Sequence, residues 1–248
     1  MNRLKIVVCV KPVKKSLIYD SDDSGLDINP YDLKALTSAL ALKQYGFSII
    51  CLSMGAMASE SVLRRCIAMG ADEAVLLSDE RFAGSDTFAT SYVLSMGIGK
   101  IGAFDYLFCG EKAIDGETGQ TSVGLAARLN ISYFTNVRMV KTAEDKLLVS
   151  YNDQRGMVVM HLESPAMLVF RDCITDEPPV SLLALKKAKK QSIIVYNADD
   201  LNCDSRQCGQ EGSKTKVIDV IGYSKERQGE VIDGSICEKA EKLLKIIS

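Results

Sequence analysis

The stretch INPYDLKALTSALALKQYGFSIICLSMG, residues 28–55, contains a helix signal followed at once by a strand signal. Asn29 and Pro30 are typical of a helix start, because Asn can cap a helix and Pro fits the first helical position. Leucines and alanines follow at helical spacing, and the apolar run 47–52 predicts a buried strand. With the apolar run 5–10 before it, this stretch predicts a β-α-β unit with parallel strands.

The same alternation of strand and helix continues through the first 130 residues. The connections are short, so the strands should form one parallel sheet that is covered on both faces. We therefore predict an α/β fold with a mostly parallel, Rossmann-like sheet and helices on both faces. The predicted strands are 5–10, 47–52, 74–77 and 104–109, and the predicted helices begin at Asn29, Ser59, Asp86 and Thr118.

The pattern changes after about Asn136, where strand-like runs are separated by polar turns. We expect these runs to add antiparallel strands to the sheet. The domain prediction is an α/β domain over 1–190 and an extended C-terminal arm over 191–248. The runs are Val137–Val140, Leu147–Tyr151, Met157–Leu162 and Ala166–Phe170.

A helix predicted over 235–247 has an apolar stripe that must be buried somewhere. The stripe either covers the surface of another chain, which we favour, or packs back on its own domain. Its members are Ile236, Ala240, Leu243, Leu244 and Ile247.

Composition excludes several classes of function. The formal net charge of −2 gives no sign of a nucleic-acid or anionic-membrane binder. No apolar run reaches the roughly 18 residues that span a bilayer, so we expect a cytoplasmic protein without membrane insertion. The eight cysteines form no Cys-x-x-Cys pair and His161 is the only histidine, so neither a metal site nor acid–base catalytic machinery is predicted.

Ligands of open α/β sheets bind beyond the carboxyl ends of the strands. The loop AIDGETGQT, residues 113–121, follows one predicted strand and precedes a helix. Its two glycines allow backbone N–H groups to approach a phosphate, and the helix start adds free N–H groups and positive potential. Taken alone, the loop fits a phosphate site and a plain turn before a helix equally well.

Seven segments, in their order and spacing, resemble the electron transfer flavoprotein β subunit family over most of the chain. Each segment is modest alone, but the set is specific. They are INPYDLKAL (28–36), SMGA (53–56), AMGADEAVLLSD (68–79), FAGSDTFAT (82–90), AIDGETGQT (113–121), KKAKK (186–190) and GSKTKVIDV (212–220).

This resemblance implies an electron carrier that works as a heterodimer. It implies that the domain over 1–190 binds a nucleotide and that the arm over 191–248, with its apolar stripe, contacts the partner α subunit or the heterodimer seam. It implies an α subunit that supplies most of the FAD contacts, a structural AMP in the β subunit, and docking to dehydrogenases. For docking, it implies an exposed leucine, Leu182, in a recognition loop, with Lys189 and Lys190 beside it. The nucleotide contacts that it implies are Cys9, Asn29, Met54, Ala113, Gly116, Glu117, Thr118, Gly119, Gln120 and Thr121.

Three alternatives stay open at this point. An electron-bifurcating β subunit would hold FAD in its own site and meet NADH, although the short loop between Val10 and Asn29 argues against it. A flavin-free nucleotide-binding α/β module is the second alternative, but it does not explain the basic run 186–190. Leu182, Leu183 and Leu185 could instead begin a core-facing helix whose lysines form the solvated side; the resemblance favours docking.

Overall fold

A computed structural model describes residues 3–19, 25–143, 146–172, 177–216, 218–219 and 231–247. The chain divides into a compact unit, Met1–Lys216, and a second unit, Val217–Ser248. The described part of the second unit contains one helix, α8 (Ile236–Ile247), on which the predicted apolar stripe repeats at helical spacing.

A nine-stranded sheet forms the centre of the first unit, in the order β11-β5-β4-β1-β6-β10-β7-β8-β9. The neighbours from β11 to β7 are all parallel, and β8 and β9 continue as an antiparallel extension. A separate antiparallel pair is formed by β2 and β3. The strands are β1 (Lys5–Cys9), β2 (Pro12–Lys14), β3 (Leu26–Ile28), β4 (Ser48–Met54), β5 (Glu73–Leu77), β6 (Tyr106–Gly110), β7 (Ser132–Ala143), β8 (Lys146–Asp153), β9 (Gly156–Leu162), β10 (Ala166–Phe170) and β11 (Ile194–Tyr196).

Helices cover both faces of this sheet, as predicted. Successive strand residues point to opposite faces, so Ile6 and Val8 join one apolar cluster and Val7 joins the other. The first cluster includes residues of α2, α3 and α6, and the second includes residues of α4 and α5. The helices of this unit are α1 (Lys15–Tyr19), α2 (Pro30–Ala41), α3 (Glu60–Met69), α4 (Thr87–Ile101), α5 (Gln120–Leu129), α6 (Leu182–Lys190) and α7 (Gly209–Gly212).

One strand prediction is wrong. Ala166–Phe170 was expected to be antiparallel, but β10 lies between β6 and β7 and is parallel to both. All five of its residues are buried, and a continuous apolar run of this kind is typical of a strand covered on both faces. The other three runs form β7, β8 and β9, which do pair in antiparallel fashion.

The strand β7 also starts earlier than its apolar run at Val137. Residues Ser132 to Phe134 pair with β10, Val137 pairs with both β10 and β8, and the later residues pair with β8. Just before Val137, Asn136 has a φ of 54°, which lies in the left-handed region that Asn tolerates. The apolar run that starts at Val137 therefore predicts only the later part of this strand.

The compact unit extends beyond the boundary predicted at position 190. Ile194–Tyr196 is the parallel edge strand β11 beside β5. Ala198, Leu201 and Cys208 are buried in the second apolar cluster. The body of the domain therefore continues to Lys216, and the arm is shorter than the predicted 191–248.

Candidate functional site

The candidate site lies beyond the carboxyl ends of β4, β1 and β6, three neighbouring strands, where open α/β sheets form their ligand crevice. From β1 the chain moves outward through β4 and β5, and it then returns to the other side of β1 as β6. Such a reversal separates the two crossover connections and leaves room for a ligand beyond the strand ends. Of the predicted contacts, Cys9 ends β1, Met54 ends β4, and the loop 113–121 follows β6.

The side chain of Asn29 holds the start of the loop 113–121 in place. Asn29 occupies the N-cap position of α2, but its side chain makes no capping bond to that helix. Instead Nδ2 donates to the carbonyl oxygen of Lys112 at 2.9 Å, and Oδ1 accepts from the backbone N–H of Ile114 at 3.2 Å. Because Asn29 is fully buried, both bonds lie under the loop, so this residue supports the site.

A buried carboxyl group, Asp32, joins the strands at the base of the crevice. Its Oδ2 accepts from the backbone N–H of Lys11 at 2.7 Å, and its Oδ1 accepts from that of Gly110 at 3.1 Å. Burial raises the pKa of Asp32 to about 7, against the opposing effect of these two hydrogen bonds. Asp32 thus connects the segments that follow β1 and β6.

The loop reaches α5 through two residues in the left-handed region. Glu117 has a φ of 51° and Gly119, at the N-cap of α5, has a φ of 63°. Gly119 has no side chain to cap α5, and the backbone N–H of Gln120 donates only a long hydrogen bond, 3.5 Å, to Thr118 Oγ1. The first-turn N–H groups of a ten-residue helix therefore point out at this edge, as anion sites at helix starts require.

Acidic and basic side chains around the loop neutralise one another. Lys11 Nζ lies 2.6 Å from Asp115 Oδ1, and Lys112 Nζ lies 3.0 Å from Glu117 Oε1. Both lysines already have carboxylate partners, so a phosphate would be bound mainly by backbone N–H groups. Gly116 has open space where a Cβ would be, which leaves the backbone accessible.

Near the carboxyl end of β4, one buried polar atom has no partner among the described residues. That atom is Ser53 Oγ. A hydrogen bond with the thiol of Cys9, together with burial, raises the pKa of Cys109 at the end of β6. Cys9 and Met54 are half-buried, so both can contact a ligand.

The remaining predicted contacts lie on the open side of the same loop. Glu117, Thr118 and Gln120 are exposed, and Ala113, Gly119 and Thr121 are half-buried. The structure therefore brings all ten predicted nucleotide contacts to one edge of the sheet.

The predicted docking residues lie elsewhere, on α6, which packs against α3. Leu182 opens this helix instead of lying in a loop, and Ser181 caps it by accepting from the N–H of Ala184 at 3.1 Å. Leu182 and Leu183 are 81% and 77% exposed, so the alternative that they face the core is wrong. Lys189 and Lys190 are exposed as well.

Sequence reasoning missed Asp32 and Ser53. Asp32 carried a weak signal, since an acidic residue in the first turn of a helix usually stays in solvent. Only the approach of Gly110, which is 78 positions away, shows that the carboxyl group is enclosed. Ser53 belongs to the segment SMGA, residues 53–56, but its neighbours in sequence do not distinguish it from an ordinary strand residue.

The described residues include neither a candidate metal-ligand cluster nor a candidate membrane-spanning helix. No group of three or more His, Cys, Asp or Glu side chains there could hold a metal ion. Over the same part of the chain, no helix has both the length and the apolar character that a membrane span needs.

Comparison with known proteins gives a consistent result. The model of the electron transfer flavoprotein domain family matches residues 16–201. The electron transfer flavoprotein subunit beta of Thermoanaerobacterium thermosaccharolyticum is 36% identical over 239 residues, covering 96% of this chain and 91% of that protein. The protein of the same name from Clostridium acetobutylicum is 36% identical over 249 residues, covering 96% and 95%. The caffeyl-CoA reductase-Etf complex subunit CarD of Acetobacterium woodii is 32% identical over 248 residues, covering 94% and 93%.

Proposed function

The chain belongs to the electron transfer flavoprotein β subunit family, and from this membership we propose that its crevice holds AMP as a structural ligand. The AMP phosphate would lie against the backbone N–H groups from Gly116 to Thr121. Thr118, Gln120 and Thr121 would add side-chain donors. The observation that carries the proposal is the uncapped start of α5 directly beyond the end of β6.

The surroundings of the crevice suit a nucleotide. Gly119 has the left-handed φ that brings the backbone around the phosphate, and the space beside Gly116 is open. Ser53 Oγ lacks a protein partner among the described residues and is a candidate donor to the ligand. Asn29 and Asp32 would act from beneath by holding the loop and the strand ends in place.

Nucleotide released by heat from the purified heterodimer and separated by chromatography tests this proposal. Gly119→Asp should abolish retention, because it places a carboxylate and a Cβ where a phosphate needs room and positive potential. Gly116→Ala is the matched control; its Cβ meets no protein atom within 4 Å, so the variant should stay folded and lose retention only in part. A well-folded wild-type heterodimer without nucleotide would contradict the proposal.

We further propose that the chain is one half of an electron carrier in the cytoplasm. FAD, bound mainly by an α subunit, would take up and deliver the electrons, while this chain supplies the partner surface and the AMP site. One FAD per heterodimer is therefore expected. A flavin-to-protein ratio near two, together with direct reduction by NADH, would favour the bifurcating alternative. The flavin-free alternative does not agree with membership in this family.

The electron donors would dock on α6. Exposed leucines beside a cluster of lysines form a plausible hot spot, in which a leucine fills a pocket and the lysines steer the approach. The relative from Acetobacterium woodii is named as part of a reductase–Etf complex, which supports a dehydrogenase-type partner here. Charge reversal at Lys189 or Lys190 should lower the association rate, and salt should mute this effect, because exposed charges are screened beyond about 10 Å at 0.1 M.

A further inference from the structure

The helix α6 is weakly supported by its own apolar contacts. Of its nine residues only Ala188 is buried, and the two leucines of its first turn point into solvent. One buried alanine contributes little burial free energy, because the methyl group is small. Other interactions must therefore fix the direction in which Leu182 and Leu183 point.

Arg64 of α3 contacts the end of α6. Its Nη1 lies 3.1 Å from each of the carbonyl oxygens of Ala188, Lys189 and Gln191. These carbonyls include groups that a helix end leaves without partners, and a cation there also complements the helix dipole. The Nη2 of the same guanidinium donates to Glu60 Oε1 at 2.9 Å, one turn back on α3, which orients the arginine.

Arg65, the next residue, contacts the chain before α6. Its guanidinium is ion-paired with Asp27, whose side chain is buried, and its Nη2 lies 2.9 Å from Glu177 Oε1. Asp27 belongs to β3 and Glu177 lies five positions before Leu182. The pair of arginines thus connects both ends of segment 177–191 to α3.

We propose that Arg64 and Arg65 form an arginine clamp that positions the docking surface of α6 for the electron-donating dehydrogenase. The proposal rests on the docking role given to Leu182 above. The clamp acts at a distance from the partner: Arg64 fixes the end of α6, and Arg65 fixes the approach to its start. Because docking of a hot-spot side chain depends on geometry, loss of either contact weakens recognition without removing any partner-contacting atom.

The test uses the wild-type heterodimer and a dehydrogenase from the same organism, selected because it reduces the flavin of that heterodimer. Arg64→Gln should raise the KM for the heterodimer roughly tenfold with kcat nearly unchanged, because weaker docking lowers affinity and leaves the chemical step intact. Glu177→Gln, which breaks the other contact at an exposed residue, should raise KM in the same direction. Both variants should keep the wild-type flavin content.

A double-mutant cycle separates positioning from a merely structural role. Arg64→Gln combined with Leu182→Ala should raise KM little more than Leu182→Ala alone. The position of α6 affects docking through the Leu182 side chain, so it has little further effect once that side chain is removed. Arg206→Gln is the matched control; this arginine pairs with Asp204 two positions away and should leave KM unchanged. Amide hydrogen exchange should be faster over 182–191 in Arg64→Gln and unchanged in the control.

The two possible failures are distinguishable. If Leu182→Ala raises KM and Arg64→Gln does not, or if their effects multiply fully, the clamp is overturned and the docking role stands. If Leu182→Ala itself leaves KM unchanged, the docking role fails and the clamp's function fails with it.

Discussion

At the scale of single residues, the site depends on polar side chains that never reach the ligand space. Asp32 is enclosed because Gly110 has no side chain; a Cβ there would lie 2.7 Å from the backbone nitrogen of Asp32. This close approach lets one carboxyl group accept from two strand ends, at the cost of desolvation. A buried carboxyl group with a raised pKa makes the free energy of unfolding depend on pH.

The first prediction concerns Asp32. Its pKa is about 7 in the folded chain and 3.8 ordinarily, so the folded chain binds more protons between these values. The contribution of Asp32 to the free energy of unfolding therefore falls as pH rises through this window. The difference in unfolding free energy, wild type minus Asp32→Asn, should fall by about 3 kcal/mol from pH 5 to pH 8, measured by urea unfolding.

Asp204→Asn serves as the control for this measurement. Its hydrogen bonds to Arg206 lower the pKa of Asp204, so its titration lies below pH 5 and the corresponding difference should be flat from pH 5 to pH 8. A flat difference for Asp32→Asn as well would show that the carboxyl group is already ionised at pH 5.

The second prediction contrasts two leucines. Leu182→Ala should leave the melting temperature nearly unchanged, because the side chain is already in solvent. Leu63→Ala, at a fully buried position of α3, should cost about 2–5 kcal/mol of unfolding free energy through lost burial and a cavity. A large destabilisation by Leu182→Ala would mean that α6 packs differently and would remove its docking surface.

At the scale of elements, two of the segments that carry the family resemblance contact each other. Asp86 caps α4 through Oδ1, which accepts from the N–H groups of Phe88 and Ala89 at 2.9 and 3.0 Å. Its Oδ2 accepts from the N–H groups of Lys214 and Thr215 at 2.7 and 2.9 Å. Burial acts to raise the pKa of Asp86, but these bonds together lower it. One carboxylate thereby attaches the end of the compact unit to the start of a helix.

The third prediction separates the two roles of Asp86. Asp86→Ser keeps a capping oxygen but is too short to serve residues 214 and 215 as well, so it should cost about 1–2 kcal/mol. Asp86→Ala also loses the cap and should cost about 1 kcal/mol more. Urea unfolding measures both values, and limited proteolysis should cut near Lys214 and Lys216 faster in both variants. Equal stability of the two variants would deny the capping role.

At the scale of the whole molecule, the chain consists of a unit that ends at Lys216 and a tail beyond it. The domain boundary predicted from the sequence at position 190 would place Cys208 in the tail. Burial of Cys208 in the second apolar cluster shows that the domain needs residues up to this region. We retain the proposal that the tail, with the apolar stripe of α8, covers the α subunit or the heterodimer seam.

The fourth prediction compares two truncations. Deletion of 217–248 should weaken heterodimer formation while the truncated chain still unfolds cooperatively, because the compact unit remains intact. Deletion of 203–248 should also lower the stability of the chain, since it removes Cys208 and the contacts to Asp86. Titration with the α subunit and thermal unfolding measure the two effects. Undiminished affinity after deletion of 217–248 would place the partner contacts elsewhere.

The sequence by itself determined the elements and the general nature of the site. Continuous apolar runs and helical spacing are local properties, so strands such as β1 and helices such as α2 could be predicted from neighbouring residues. The loop 113–121 was recognised for the same reason, because two glycines before a helix are visible locally. Ordered motifs along the chain also identified the family.

Only the tertiary structure decided how these elements combine. The placement of β10 between β6 and β7, and the inclusion of β11 in the sheet, depend on pairing between strands distant in sequence. Arg64 meets the end of α6 across 124 positions, and Asp32 meets Gly110 across 78. No local pattern encodes such contacts, because they arise only when packing brings these backbone groups to one place and leaves them in need of partners.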